Sequence, residues 1–226
     1  AVGTEGWPPF LVGIGAFLFC GALLAVVVRR LPRINEAGDN VSVLGFMPLA
    51  WLLLSAVVVA AGFEQAVLAL LPVYGIHHGI PEAGMSALLS VMIAGNIAMQ
   101  VPLGLLAEKL TARLVRFVCL LMTILGCLLL PILIETPLIY PCLFVWGAVS
   151  YGIYTMSIIE LGERFSGSAL VAGNAAFSLM WGVGGIVVPP LTGSVMDVIG
   201  APGLPVALGG ICALLAVATV FRRRVT

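Results

Sequence analysis

The sequence predicts an all-α integral membrane protein with seven membrane-spanning helices. Its composition is the first reason: 62% of the 226 residues are hydrophobic and only 9% are charged, whereas a soluble domain carries about 25% charged residues. The second reason is that the apolar residues form continuous runs, and about 20 apolar residues cross a bilayer as a helix. Strands of a membrane barrel would instead alternate apolar and polar residues, so helices are the predicted elements.

Seven apolar runs are long enough to span a bilayer. Charged residues, glycines and prolines lie in the gaps between these runs, and such residues end a helix before the next one begins. Most gaps are short, which makes consecutive helices antiparallel neighbours. The predicted helices cover residues 9–28, 45–74, 83–107, 115–133, 138–159, 169–195 and 204–221.

The charges in the gaps set the predicted orientation. All ten Lys and Arg residues fall in alternate gaps, and the other gaps hold acidic residues and both histidines. Because cytoplasmic loops are enriched in Lys and Arg, we expect the N-terminus outside and the C-terminus in the cytoplasm. The basic residues are Arg29, Arg30, Arg33, Lys109, Arg113, Arg116, Arg164, Arg222, Arg223 and Arg224, and the opposite gaps hold Glu5, His77, His78, Glu82, Glu135 and Asp197.

One gap is longer than the others. Residues 29–43 are polar, contain Pro32 and Gly38, and mix both charges, which is typical of a linker between two bundles. One predicted helix precedes this linker and six follow it. We therefore expect residues 1–28 to be the last helix of an N-terminal bundle and residues 44–226 to be a C-terminal six-helix bundle.

Composition also excludes several classes of partner. The net charge is zero and the basic residues are scattered, so no nucleic-acid partner is expected. The five cysteines form no CxxC pair and join no histidine cluster, which favours packing in membrane helices over a metal site or a disulfide. The chain begins at Ala1 without a basic segment before its first apolar run, so we expect a piece of a longer protein, natural or truncated, and not a signal peptide.

Four motifs resemble the major facilitator superfamily. Residues 104–113 read Gly-Leu-Leu-Ala-Glu-Lys-Leu-Thr-Ala-Arg, which is similar to the loop motif Gly-x-Leu-Ala-Asp-Arg-x-Gly-Arg-Arg of that family. Thr111 stands where a glycine is usual, and this departure leaves open how tightly the loop is latched. Leu71–Gly75, Glu160–Phe165 and Trp181–Gly193 are similar to the bacterial subgroup of YcaD-like permeases.

The resemblance covers nearly the whole chain and implies a function. It implies a twelve-helix transporter of the bacterial inner membrane, in which this chain supplies the last seven helices. It also implies transport of a small solute by alternating access, coupled to protons, with no cofactor. The implied partners are the solute, the lipid bilayer and the missing N-terminal helices of the same transporter.

Glu64 is the foremost candidate for the transport pathway. It lies about two thirds of the way along the apolar run Leu44–Tyr74, and no other carboxylate lies deep inside an apolar run. An ionisable residue in hydrocarbon costs roughly 2.5–3.5 kcal/mol on insertion scales and commonly has a function. Glu64 is therefore predicted to carry a proton or to contact the substrate; the alternative is a structural carboxyl that hydrogen-bonds a neighbouring helix.

Polar and aromatic residues on three other helices extend this predicted pathway. Asn96 and Gln100 lie four residues apart and share a helix face. A second face begins at Asn174 and ends in a glycine-rich, proline-containing segment that predicts a kinked, closely packed helix. The alternative for all of them is packing or hydrogen bonding between helices. The further candidates are Gln65, Asn96, Gln100, Tyr154, Asn174, Phe177, Ser178 and Trp181.

A charged cluster is predicted at the cytoplasmic surface. Glu160 and Glu163 lie at a helix C-terminus, where the helix dipole disfavours carboxylates, so basic partners are expected. We predict an ion-pair latch that holds the outward-facing state and breaks on the swing inward; the alternative is solvated surface charge, worth about 0–1 kcal/mol. The predicted latch residues are Glu108, Lys109, Arg113, Glu160, Glu163 and Arg164.

Compared with a transporter, an intramembrane enzyme fits the sequence less well, and a sensor or scaffold that does not transport fits it equally well. An intramembrane enzyme would need a nucleophile–base pair or metal ligands at membrane depth, and the predicted helices carry no histidine and no HExxH or GxSxG motif. We therefore expect no enzyme and no catalytic residue. A sensor or scaffold that does not transport would show the same residues. Since no Lys or Arg lies deep in a predicted helix, a neutral, zwitterionic or cationic solute is favoured over an anion.

Overall fold

A computed structural model describes residues 8–28 and 41–223 of the chain. The chain divides into two units, residues 1–37 and residues 38–226, and each is described by itself. The described part of the first unit is one helix, α1 (Pro8–Val28), of 21 residues. At 1.5 Å per residue this helix is about 30 Å long, close to the thickness of the bilayer core. The predicted linker, residues 29–43, falls almost entirely outside the described residues.

The second unit is a bundle of long helices. Within residues 41–223 no strand occurs, and six helical segments are long and apolar enough to cross a membrane. The predicted all-α membrane fold is confirmed. The bundle consists of α2 (Val43–Phe46), a 3-10 turn (Met47–Ala50), α3 (Trp51–His77), α4 (Glu82–Lys109), α5 (Ala112–Leu133), α6 (Ile139–Arg164), α7 (Gly167–Ile199) and α8 (Gly203–Arg223).

The prediction of one continuous helix over Leu44–Tyr74 is wrong at its beginning. Pro48 lies in the 3-10 turn, and Ala50 leaves the helical region with φ −128° and ψ 27° before α3 begins at Trp51. A proline has no N–H to donate and its ring crowds the preceding turn, so the chain tightens there. As a result, Glu64 is the central residue of α3 and lies about 20 Å from either end.

Helix pairs in the bundle approach closely where one of them carries glycine. The chief pairs are α3 with α7, α4 with α6, and α5 with α6 and α8. A Cβ at Gly184 of α7 would collide with the Val58 carbonyl of α3, and one at Gly95 of α4 would collide with the Phe144 carbonyl of α6. Lipid tails are as apolar as leucine, so membrane helices associate through such close packing and not through a hydrophobic driving force.

Trp146 fills the centre of the bundle and joins three helices. Its ring is buried on α6 and packs edge-on against Phe63 of α3, with ring centroids 5.0 Å apart. Its indole N–H donates to the Thr123 carbonyl of α5 at 2.9 Å. Because a buried indole N–H needs an acceptor, this bond fixes the ring orientation and the spacing of the helices around it.

Candidate functional site: a carboxyl-lined cleft between three helices

A narrow cleft lies where α3, α6 and α7 meet. Its volume is ≈ 180 Å³, part of which is open to the surroundings, and no part of it is wide enough to hold a water molecule. The three helices therefore approach each other closely around these polar groups. Its lining residues are Ala60, Phe63 and Glu64 of α3, Ser150, Tyr151 and Tyr154 of α6, and Trp181 of α7.

Glu64 and Tyr151 form the polar pair of the cleft. The half-buried Glu64 carboxyl extends from the centre of α3, and the Tyr151 hydroxyl of α6 lines the same cleft, close enough for the two groups to interact. A phenol hydroxyl can donate to a carboxylate and can also accept from a carboxylic acid. A hydrogen bond between these two groups is therefore chemically possible in both protonation states of the carboxyl.

Aromatic rings form one wall of the cleft. Tyr154 of α6 meets Trp181 of α7 edge-on with ring centroids 4.6 Å apart, and Phe177, one turn earlier on α7, lies 6.5 Å from Tyr154. Edge-to-face pairs at such distances are favourable beyond their burial. These rings join α6 to α7 on this side of the cleft.

Small groups on the opposing surfaces let the three helices converge here. Ala60 lies one turn before Glu64 on α3, and the Ser150 hydroxyl turns back to the Gly147 carbonyl of its own helix at 3.2 Å. Gln65 extends from α3 toward α7, where a Cβ at Gly185 would lie 3.2 Å from its Cγ. Gly185 is also the residue whose carbonyl loses its usual donor, because Pro189 has no N–H.

The structure brings some predicted pathway residues to the cleft and leaves others elsewhere. Glu64, Tyr154 and Trp181 line it, and Gln65 and Phe177 lie at its edge.

Four predicted pathway residues lie away from the cleft. The Ser178 hydroxyl donates to the Asn174 carbonyl at 3.1 Å on the exposed surface of α7. On α4, Gln100 donates to the Asn96 side chain at 3.0 Å. α4 does not contact α7 within the described residues, so this amide pair belongs to a different face of the bundle.

A buried ion cluster joins α5 and α6 near the ends that carry the basic residues. Glu160 is 3% exposed. Its carboxylate lies 2.6 Å from the guanidinium of Arg116, 3.4 Å from that of Arg113 and 3.2 Å from that of Arg164. The Arg116 side chain is 4% exposed, whereas Arg113 is 47% and Arg164 30% exposed. The Glu160 carboxylate thus forms ion pairs with one buried and two accessible guanidinium groups.

The cluster differs in two respects from the predicted latch. Arg116 was grouped with the basic residues of a loop, at the edge of the helix predicted over residues 115–133, but α5 begins earlier, at Ala112, because the Thr111 hydroxyl accepts the Leu114 N–H at 3.2 Å as an N-cap. Arg116 therefore lies on the buried face of α5. The other difference is that Glu108, Lys109 and Glu163, although exposed, take part in none of the ion pairs formed by the described residues.

Two residues of these sites escaped the sequence prediction. Tyr151 lies three residues before Tyr154, so the two share a face of α6, and that spacing was the available signal. Arg116 lies one turn after Ala112 and one turn before Cys119, both buried. This helical spacing from two apolar residues was the available signal that Arg116 lies on a buried face and pairs with a buried carboxylate. Within the described residues no group of three or more His, Cys, Asp and Glu could hold a metal ion.

Comparison with known proteins identifies the family. The sequence model of the Major Facilitator Superfamily matches residues 2–168 and 52–226. The chain therefore belongs to the major facilitator superfamily, and it is a multi-pass membrane protein. The predicted family is confirmed.

Similar proteins include bacterial proteins that are named as uncharacterized MFS-type transporters. One, from Enterobacter sp. (strain 638), is 30% identical over 128 residues, which cover 57% of this chain and 33% of the relative. The YcaD transporter of Escherichia fergusonii is 27% identical, and that of Escherichia coli O6:K15:H31 is 26% identical. These two alignments cover 81% and 84% of this chain and 48% of each relative.

The predicted similarity to YcaD-like permeases is confirmed by these relatives. The chain spans about half the length of the YcaD transporters that it matches. No solved structure matches the chain.

Proposed function

We propose that this chain forms the C-terminal half of a secondary active transporter that moves a small solute across the bacterial inner membrane by alternating access, coupled to protons. The observation that carries the proposal is the Glu64–Tyr151 pair. A carboxyl at the centre of a membrane-spanning helix lies beside a tyrosine hydroxyl in a narrow cleft between three helices. Membership of the superfamily supports transport as the class of function.

The position of Glu64 favours a proton-carrying role over a structural one. A structural hydrogen bond between helices can be made by a neutral side chain, which avoids the cost of an ionisable group in the membrane. The chain has a glutamate at position 64 in spite of that cost, and the neighbouring Tyr151 hydroxyl can stabilise both protonation states of its carboxyl. Proton uptake and release at Glu64 would then alter the charge of the cleft and bias it between open and closed conformations.

The cleft residues also narrow the class of solute. Its seven lining residues supply one carboxyl, three hydroxyls and four aromatic side chains, and they include no Lys or Arg. Such a wall suits a neutral, zwitterionic or cationic solute better than an anion. Transporters with two related halves bind solute between them near the midplane, so the second wall of the site is proposed to come from N-terminal helices of the same transporter.

The Glu160 cluster is proposed to act as the conformational latch. Buried Arg116 supplies a permanent counter-ion, so the Glu160 carboxylate stays compensated when the accessible contacts to Arg113 and Arg164 break. Breaking exposed ion pairs costs little, about 0–1 kcal/mol each. The cluster can therefore switch its outer contacts without exposing an unpaired buried charge. The basic residues around it favour a cytoplasmic location.

The proposal is tested with the complete transporter in proteoliposomes. Uptake of a panel of radiolabelled neutral, zwitterionic and cationic solutes is measured with and without an inward proton gradient. We expect at least one solute to accumulate only when the gradient is present. Solutes that bind saturably but never cross the bilayer would favour a sensor, and uptake that ignores the gradient would contradict proton coupling.

A further inference from the structure

A second pocket lies at the opposite end of the bundle from the Glu160 cluster. It forms where the turn between α3 and α4 meets the turn between α5 and α6, and its volume is ≈ 550 Å³. It shares no lining residue with the cleft around Glu64. Its chemistry comes from His78 on the first turn, Glu135 and Thr136 on the second, and Tyr140 at the start of α6.

The His78 ring presents an acceptor nitrogen. Its Nδ1 lies 2.8 Å from the Tyr74 carbonyl oxygen, and its ring packs against the Tyr74 ring at a tilt of 35°, with centroids 4.5 Å apart. Because a carbonyl oxygen can only accept, Nδ1 carries the hydrogen of this bond. The neutral ring then has its lone pair on Nε2. The backbone thus fixes the tautomer that offers an acceptor.

Glu135 supplies an uncompensated negative charge. Its side chain is exposed, and it takes part in no ion pair with another residue of the described bundle. Its charge acts on the Tyr74 hydroxyl, which is fully buried and has no hydrogen-bond partner among the described residues. No Lys or Arg occurs between residues 74 and 108 or between residues 117 and 163. The sequence around the pocket therefore contains no fixed cation that could neutralise Glu135.

We propose that this pocket binds an organic ammonium ion that carries at least one N–H. The Glu135 carboxylate pairs with the positive charge, and His78 Nε2 accepts an N–H hydrogen bond. The ring of Tyr140 can cover the charged or apolar part of the ligand, as aromatic faces do for cations. This site does not depend on the proposed transport function, because it is separate from the cleft.

A metal ion fits the pocket less well than an ammonium ion. The pocket offers one carboxylate and one imidazole as strong donors, whereas zinc sites use three or four protein ligands and calcium sites use six to eight oxygens. An organic ammonium needs one counter-ion and one or two acceptors, which the pocket has. The ammonium group can come from a free amine or from the ethanolamine headgroup of a lipid at the membrane surface.

Nuclear magnetic resonance of the imidazole nitrogens tests the proposal. The full chain is labelled with ¹⁵N-histidine and placed in nanodiscs of phosphatidylcholine; it contains two histidines, so His77 serves as an internal control. Benzylammonium chloride is titrated in, and we expect a saturable shift of the His78 signals with a much smaller change at His77. Equal, non-saturating shifts of both residues would overturn the proposal.

Two matched variants separate a defined pocket from general surface charge. Glu135→Gln and Asp197→Asn each remove one carboxylate from an exposed position on the same side of the bundle. Loss of the paired charge is expected to weaken benzylammonium binding about tenfold in Glu135→Gln. The Asp197→Asn change is expected to weaken it less than about twofold, because distant exposed charges are screened by salt. Equal weakening in the two variants would overturn the proposal.

Three further ligands test which chemical group the pocket binds and whether that group comes from a free amine or from a lipid. Benzyltrimethylammonium has no N–H and is expected to bind more weakly; equal affinity would contradict the role of His78. Zinc chloride that displaces benzylammonium at lower concentration would overturn the ligand class. Benzylammonium binding is also measured in nanodiscs that contain phosphatidylethanolamine. Weaker apparent binding there would show that the lipid headgroup competes for the pocket, and unchanged affinity would show that the pocket takes a free amine. Either result supports an ammonium site.

Discussion

Glu160 shares one carboxylate among three guanidinium groups, and burial decides which of these contacts is energetically important. Arg116 and Glu160 are both nearly inaccessible, so each would be an uncompensated buried charge without the other. Removing one partner of such a pair costs about 3–5 kcal/mol, whereas exposed pairs contribute about 0–1 kcal/mol. The contacts to Arg113 and Arg164 therefore contribute less to stability and are the ones available for switching.

Glu160→Gln is expected to lower the stability of the chain in detergent micelles by about 3–5 kcal/mol, because it leaves Arg116 buried without a counter-ion. Glu163→Gln is the matched control on the same helix and is expected to change stability by less than about 0.5 kcal/mol, as surface substitutions do. Denaturant unfolding followed by tryptophan fluorescence measures both. Similar losses in the two variants would contradict the assignment of Glu160 as the buried partner.

The two polar residues of the cleft differ in how well the sequence predicts them. Glu64 stood out because a carboxyl deep in an apolar run is costly wherever the run packs. Tyr151 did not stand out, because a tyrosine is ordinary in a membrane helix and becomes a partner only when α6 turns that face toward α3. Pairing between helices depends on their rotation, which short-range spacing does not fix.

At the scale of the elements, glycines determine how the helices around the cleft pack. Gly184 of α7 faces the Val58 carbonyl of α3 so closely that a Cβ would collide with backbone, whereas nothing lies within 4 Å of a Cβ at Gly182. The glycine-rich segment was predicted to pack closely, and the structure assigns that role to Gly184 and not to Gly182. Spacing alone does not distinguish two glycines that lie two residues apart.

Gly184→Ala is expected to destabilise the chain by about 1–3 kcal/mol, because α3 and α7 must separate to admit the methyl group. Gly182→Ala should leave stability unchanged or raise it by about 0.5–1 kcal/mol, since alanine favours the helix more than glycine does. Thermal unfolding of the two variants in the same detergent compares them directly. A loss at Gly182→Ala as large as that at Gly184→Ala would show that the close approach is not the cause.

Helix ends were predicted less well than helix existence. The apolar run over Leu44–Tyr74 hid the turn at Pro48, because every residue around that proline is apolar and the run looks continuous. The beginning of α5 was placed too late for the opposite reason: Arg113 and Arg116 look like loop residues, yet Thr111 caps a helix that already contains them. In both places local backbone chemistry, and not hydropathy, fixes where the helix begins.

At the scale of the whole molecule, the alternation of basic and acidic gaps predicts which face is cytoplasmic. Leu110 lies between α4 and α5 beside basic residues, and Leu138 lies between α5 and α6 on the opposite face; both are exposed. In a background without native cysteines, Leu138→Cys is expected to react with a membrane-impermeant maleimide in intact cells. Leu110→Cys should react only after permeabilisation, and the reverse pattern would invert the proposed orientation.

The central claim is that Glu64 carries the coupled proton. The most direct measurement compares proton-driven accumulation with solute exchange in proteoliposomes of the complete transporter, for wild type and Glu64→Gln, with Asp197→Asn as the control carboxylate. Glu64→Gln is expected to keep exchange of solute at equal concentrations, because glutamine preserves the size and hydrogen bonding of the neutral carboxyl. It is expected to lose accumulation against a solute gradient, while Asp197→Asn keeps both activities. Proton-driven accumulation that survives in Glu64→Gln at the wild-type level would contradict the account.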